Sequence, residues 1–424
     1  VRSRPMQSAS TTPSIGSPTT ATITPGGGAF SLNASNYRAI LNNHFRGDAL
    51  AERVVQDMLE AHETLNFADE SKLVQEVQKR VRTSRAMQES QDGRRVHGRH
   101  ATAFGYPFNT PANHYGPRVN YHAREYWMPT VVDNYAARTD RTRIRQMAAL
   151  PRNRRHEIYG DPAGSYSWSL TAEGQRDPFH ATMNLFTPQS QPYKKSLIHC
   201  DYLISMVQMR AFIESITPAE FNRRVAAFGP GRFILQWNAF DSLREFYDDP
   251  TTPARERGFG STQVVTLMSE SDFLIGDHIY FYNHEAYGVL NENIGNAWQL
   301  ENAILVDRRR GQDIFLGHGS GRKTKQQMLS KLAEEYNDVA DRAIRLSQRV
   351  DRNQTGASDE IIARFPNLGR VNGRWRIIGH TRSDFGDRDI NIELRRIRPD
   401  EVLGLKDPND ISRLRSIRRP IESR

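Results

Sequence analysis

The sequence predicts an α+β fold. Three observations carry that expectation. Apolar residues recur at helical spacing in several long segments, strand-like runs cluster after residue 260, and the two do not alternate as a parallel sheet would require. No internal repeat is evident.

Residues 1 to about 30 are rich in Ser, Thr, Pro and Gly and end in Gly26–Gly27–Gly28. Their apolar content is too small to offset ordering entropy, so this segment is read as disordered. A mainly helical and irregular accessory region, 31–190, follows. Asn36 to Asn43 and Asp48 to Leu65 are helical, with Leu50, Val54, Val55, Met58 and Leu59 at helical spacing. Ser71 to Met87 is a further helix with Leu73, Val74, Val77 and Val81 on one face. The run Lys79–Arg80–Val81–Arg82 is read as its solvated face rather than as a nucleic-acid contact. Residues 88 to 195 are polar and irregular. The aromatic and basic stretch His114 to Trp127 is read as a loop layer packed by its rings, in preference to a surface that stacks bases. No nucleic-acid module signature is present.

From about residue 196 the pattern sharpens. Asp201 to Ile216 is apolar at helical spacing, with Leu203, Val207 and Ala211 in one row and Met206, Met209 and Ile213 beside it. Thr217–Pro218–Ala219–Glu220 resembles a capping box and opens a second helix that Gly229 ends. Phe233 to Phe240, Gln263 to Met268, His278 to Tyr282, Glu301 to Val306 and Asp313 to Leu316 read as strands. The turns at Gly276–Asp277 and Arg310–Gly311 precede two of them. Gln326 to Arg349 is a long amphipathic helix with Leu329, Leu332, Tyr336 and Val339 inward. A C-terminal extension, 351–424, adds strand material at Trp375 to Ile378 and Asn391 to Leu394. The basic stretch Arg413 to Arg419 is expected to be a mobile tail.

Bulk properties bound the function. The chain has 424 residues, 37% of them hydrophobic, which fills a sizeable core. No apolar run reaches the ~18 residues that span a bilayer, and no Sec-type signal opens the sequence. The expectation is a soluble protein, cytoplasmic or exported as an effector or toxin, with no membrane partner. Val1 in place of Met is compatible with a processed form, a fragment or an alternative start. The net charge of +9, from 58 Lys and Arg against 49 Asp and Glu, permits an acidic partner through the basic tail. One cysteine excludes an intramolecular disulfide, and nothing resembles an EF-hand loop, so neither metal nor cofactor is expected.

Thiol chemistry must therefore run through Cys200. It opens a predicted helix, where unpaired N–H groups and the positive end of the dipole favour a thiolate. Acid–base residues brought by a later sheet would complete the layout of papain-like enzymes. Glu301 stands at the mouth of one strand, and His318 lies between Gly317 and Gly319 at the end of the next.

Taken in order, four segments resemble the bacterial spore-coat type transglutaminases, protein-glutamine gamma-glutamyltransferases. They are Cys200 at a helix start, Gly276–Asp277 with Tyr280–Phe281–Tyr282–Asn283, Trp298–Gln299–Leu300–Glu301–Asn302, and Gly317–His318–Gly319–Ser320–Gly321. The resemblance covers roughly residues 196 to 335, within a catalytic core drawn at 191–350. Two positions depart from the family pattern. His199 replaces the usual Glu before the Cys, and Leu300 replaces a Gly.

The resemblance implies a papain-related, NlpC/P60-like core in which the nucleophile helix packs on an antiparallel sheet. It implies that Cys200 attacks a protein glutamine, releases ammonia and passes the acyl group to a lysine amine, with no cofactor. Glu301 is assigned as the principal partner carboxylate, and His318 as the acid–base group or its neighbour. Two rivals stay open: a glutamine deamidase or NlpC/P60-type amidase using the same residues, and a basic binding protein on the same fold.

Overall fold

The computed structural model describes residues 30–60, 66–67, 69–90, 101–102, 126–131, 166–186, 196–197, 200–230, 233–235, 263–267, 273–294, 298–381, 387–407 and 410–418. The Ser/Thr/Pro/Gly-rich start, His199 and most of the stretch 114–127 lie outside these residues. Among the described residues no helix is long and apolar enough to cross a membrane.

The helices expected near the start are α1 (Tyr37–His44), α2 (Ala49–Glu60) and α3 (Glu70–Ser90). Asp48 starts α2 by accepting from the amides of Leu50 and Ala51, as a capping carboxylate does. Leu50, Val54, Val55 and Met58 of α2 and Leu73, Val74, Val77 and Val81 of α3 are buried together. The solvated-face reading of residues 79–82 is corrected by Arg80, which is buried. Its Nε pairs with Glu76 at 2.7 Å, and its Nη1 with Asp277 at 2.9 Å and the carbonyl of Ile275 at 3.1 Å. The two carboxylates hold the guanidinium above its ordinary range although burial opposes this.

Short elements fill the middle of the chain. Strands β1 (Phe30–Ser31) and β2 (Asn66–Phe67) pair, as do β3 (Ala101–Thr102) and β6 (Ser196–Leu197). β4 (Trp127–Val131), β5 (Tyr166–Leu170) and β7 (Ile234–Leu235) form a three-stranded sheet. Trp127 is buried and donates from Nε1 to the carbonyl of Ala181 at 3.0 Å. Helices α4 (Ala172–Arg176) and α5 (Pro178–Asn184) lead towards α6 (Cys200–Ile213). Every described apolar side chain of α6 from Leu203 to Ile213 except Phe212 is buried, so α6 is a helix surrounded on nearly all sides. Thr217 caps α7 (Pro218–Phe228) through the amide of Glu220, and Gly229, at φ 99°, ends it.

The central sheet has the order β12–β11–β10–β9–β17–β16, with β8 also paired to β17. Its strands are β8 (Gln263–Leu267), β9 (His278–Tyr282), β10 (Leu300–Arg309), β11 (Gln312–Gly317), β12 (Gly321–Thr324), β16 (Lys406–Asp407) and β17 (Asp410–Arg418). Every pairing is antiparallel, as the α+β expectation requires. The β10–β11 hairpin turns on Arg310 and Gly311, both at positive φ, which suits the strand twist. The expected mobile tail is instead β17. It pairs with β8 over five residues and with β9 at Ile279 and His278. A central strand needs its backbone groups satisfied on both sides, and β17 supplies that for β9.

Two layers cover the sheet. Ile279, Phe281, Ala303, Leu305 and Phe315 pack with α2, α3 and the long helix α9 (Lys325–Asp351). Ile304, Val306 and Leu316 pack with α6. The C-terminal part adds α10 (Ala357–Arg364) and a sheet of β13 (Leu368–Val371), β14 (Arg374–His380) and β15 (Asp389–Glu393). The short helix α8 (Ala286–Leu290) lies between β9 and β10 in sequence.

Two outcomes follow from this packing. Arg80→Ala leaves Asp277 and Glu76 as buried charges without their cation, and should lower stability by about 3–5 kcal/mol in urea unfolding. An unchanged midpoint would show that the pairs contribute nothing. His284, beside Tyr336 with ring centroids 5.1 Å apart, has its pKa pushed down to about 4 by burial. The unfolded chain then binds a proton more readily than the native one. This contribution is whole above about pH 6.5 and is lost as pH falls towards 4. Replacing His284 by Asn should flatten the pH dependence of Tm over that window. An identical slope in both proteins would remove His284 from the account.

Candidate active site

Side chains along a strand leave on alternate faces, and this rule decides what meets Cys200. In β10, Ile304 and Val306 belong to the layer with α6, and Ala303 and Leu305 to the layer with α9. Asn302 shares the parity of Ile304 and so faces α6. Glu301 shares the parity of Ala303, and its ladder partner Phe281 lies in the α9 layer. The residue of the Trp298–Asn302 segment that reaches the thiol is therefore Asn302. Its Nδ2 stands 3.5 Å from Cys200 Sγ in donor geometry.

Cys200 is half-buried at the first residue of α6, and Asn302 and His278 are fully buried. The register that pairs His278 with Ile304 places the imidazole on the α6 face of β9, two pairs along from Asn302, whose own ladder partner is Tyr280. His278 Nε2 lies 2.8 Å from Asn302 Oδ1. Cys200, Asn302 and His278 thus form one connected line across helix and sheet. The Tyr280 ring stands 4.7 Å from that of His278, and Tyr282 stacks in turn on Tyr280.

Glu301 is buried as well. Its Oε1 accepts from the amides of Gly319 and Ser320, at 3.0 and 2.9 Å, and from Ser320 Oγ at 2.9 Å. A buried carboxylate needs such donors, and here they come from the turn that carries His318. The flanking glycines leave room for it. A Cβ on Gly317 would overlap Glu301 Oε1 and Ser320 Oγ, and one on Gly319 would crowd Glu301 Oε2 and Trp298. His318 is fully buried. It opens the turn that follows Gly317, the last residue of β11, which pairs with Ala303 beside Asn302.

Asn283 ties this region together. Its Nδ2 donates to the carbonyls of Trp298 and Leu332, at 2.9 and 3.1 Å, joining the end of β9 to the entry of β10 and to α9. Among the described residues no group of three or more His, Cys, Asp or Glu side chains is placed to hold a metal ion.

Sequence reasoning named Cys200, Glu301 and His318 and did not single out Asn302 or His278. Asn302 stands inside the Trp298–Asn302 segment, and His278 opens the strand read from His278 to Tyr282. The missing signal was the strand parity, fixed by which neighbours of Asn302 pack on α6. Gly317→Ala should displace the Glu301 carboxylate from its donors and lower unfolding stability by about 1–3 kcal/mol. A wild-type denaturation midpoint would mean that the close fit carries no energy.

The protein-glutamine gamma-glutamyltransferase family model matches residues 167–360. That span runs from β5 through α6, β9, β10, β11 and α9 into α10, and so holds every residue of the site. It makes this part of the chain a transglutaminase-type enzyme. No curated protein matches the chain.

Proposed function

We propose, from the premise that residues 167–360 are of the transglutaminase type, that Cys200 carries acyl groups as a thioester from protein glutamines to lysine amines. The observation that carries this reading is the 3.5 Å approach of Asn302 Nδ2 to Cys200 Sγ. It brings the Trp298–Asn302 segment against the cysteine that opens α6.

The thiolate attacks the carboxamide carbon of a glutamine side chain. The C–N bond breaks and ammonia leaves with a proton from the acid–base group. A lysine amine then attacks the thioester, gives up a proton and forms the isopeptide, which returns the thiolate. The N–H of Asn302 favours the charged form of the sulfur, as does the start of α6.

Of the two assignments left open by the sequence, the geometry favours His318 as the acid–base group. It opens the turn directly after Gly317, whose ladder partner Ala303 is the neighbour of Asn302. Glu301 then acts through the three hydrogen bonds that hold the 318–320 turn, as a positioning residue.

Incorporation of a fluorescent primary amine into a glutamine-rich protein tests the reading. Wild-type protein should incorporate the amine with release of ammonia, and Cys200→Ala should lose the reaction while remaining folded. Retained incorporation in Cys200→Ala would rule out the thioester. Conversion of glutamine to glutamate without amine uptake would assign a deamidase, and cleavage fragments a peptidase. His318→Gln should lower turnover by about 10²–10⁴. A wild-type rate would transfer the acid–base role elsewhere.

A further inference from the structure

We infer that His278 is a positioning residue for the nucleophile, acting by fixing which end of the Asn302 carboxamide faces Cys200. The inference deepens the proposed reaction and rests on Cys200 being its nucleophile.

A carboxamide has nearly the same shape when its oxygen and nitrogen are exchanged, so packing alone does not orient it. The two orientations differ sharply for a thiolate. With Nδ2 towards the sulfur, Asn302 offers it a hydrogen-bond donor. With Oδ1 towards the sulfur, it presents lone pairs that repel the negative charge and suit only the neutral thiol.

The second contact of Asn302 makes the choice. His278 Nε2 lies 2.8 Å from Oδ1, and an oxygen there requires a proton on Nε2. An imidazole donating from Nε2 therefore sends Nδ2 to Sγ, the arrangement seen at 3.5 Å.

His278 is well held for this task. It pairs with Ile304 of β10 on one side and Ile417 of β17 on the other. The Tyr280 ring lies against it. The charges nearest along its strand are taken up elsewhere. Asp277 binds Arg80 and the amide of Leu274, and Arg80 in turn pairs with Glu76. A fully buried polar pair in the middle of a sheet is costly unless its partners are matched in kind, and here the Nε2–Oδ1 contact satisfies one polar atom of each side chain.

The test reads the sulfur directly, through the pH profile of Cys200 alkylation by iodoacetamide in the full chain. It requires no glutamine substrate. Failure of amine transfer with an intact alkylation profile would defeat the proposed function and leave this inference standing.

His278→Leu should move the labelling midpoint to higher pH and slow labelling at neutral pH about tenfold. His278→Gln, whose amide can donate to Oδ1, should restore most of the wild-type rate. In an Asn302→Leu background the change at 278 should have no further effect, because both act through one contact. A wild-type profile in His278→Leu, or additive effects in the double variant, would overturn the inference.

The wild-type protein provides a second measurement that survives even if His278→Leu fails to fold. Nitrogen-15 spectra of histidine-labelled protein should show the His278 Nε2 protonated. A bare Nε2 with the proton on Nδ1 would overturn the inference.

Discussion

A strand buried on both faces serves two layers, and each of its residues can serve only one of them. β10 is such a strand. Its odd-numbered positions from 301 to 305 face α9 and its even-numbered positions from 302 to 306 face α6. The chemistry inherits that division. Cys200 belongs to α6, so only even-numbered positions of β10 are directed at its layer. Glu301 is turned to the other layer, where it holds the loop that delivers His318. Two neighbouring residues of one segment thus contribute from opposite sides of the sheet, one to the sulfur and one to the architecture behind it.

The same sheet explains why distant parts of the chain are needed at the site. β9 carries His278, and its position depends on three attachments. β10 holds one edge and β17 the other. At the entry, Gly276 adopts φ 94° so closely against Arg80 that a Cβ there would crowd the Arg80 backbone and stem. Arg80 then binds Asp277 and the carbonyl of Ile275. Further along, Ser84 of α3 donates to the carbonyl of Val306, at the register shift between β10 and β11. One face of α3 therefore fixes both of the strands that carry the polar line to the thiol.

Much of this was legible in the sequence, and the failures have identifiable causes. Helical spacing located α2, α3, α6 and α9, because each buries a broad apolar face. Thr217 and Gly229 marked the limits of α7 through ordinary capping chemistry. The parity of β10 was hidden for a physical reason. A strand with both faces buried shows no alternation of polar and apolar residues, so nothing in Leu300–Val306 distinguishes its two layers. Arg80 was misread because its partner Asp277 lies far along the chain, while its local pairing with Glu76 looks like that of any solvated helix. β17 was misread because a basic terminal stretch resembles a tail, although backbone pairing asks little of composition. Asn372–Gly373, both at positive φ, is the favoured two-residue hairpin turn between β13 and β14, and was a signal left unused.

The family match ends at residue 360 and begins at 167, yet the fold does not divide there. α3, which precedes the matched span, runs along α6 and across β10. β17, which follows it, fills the open edge of β9. Removing α3 would expose the apolar flank of α6 and leave Asp277 without its buried cation. Removing β17 would leave the backbone groups beside His278 without their ladder. Both losses fall on the two elements that place Cys200 and His278, rather than on a remote surface. The flanking regions therefore differ from appended modules that could be exchanged freely. They complete the layers on which the polar line from sheet to sulfur depends, and constraints on their sequences should follow from packing against α6 and β9 as much as from any partner they bind.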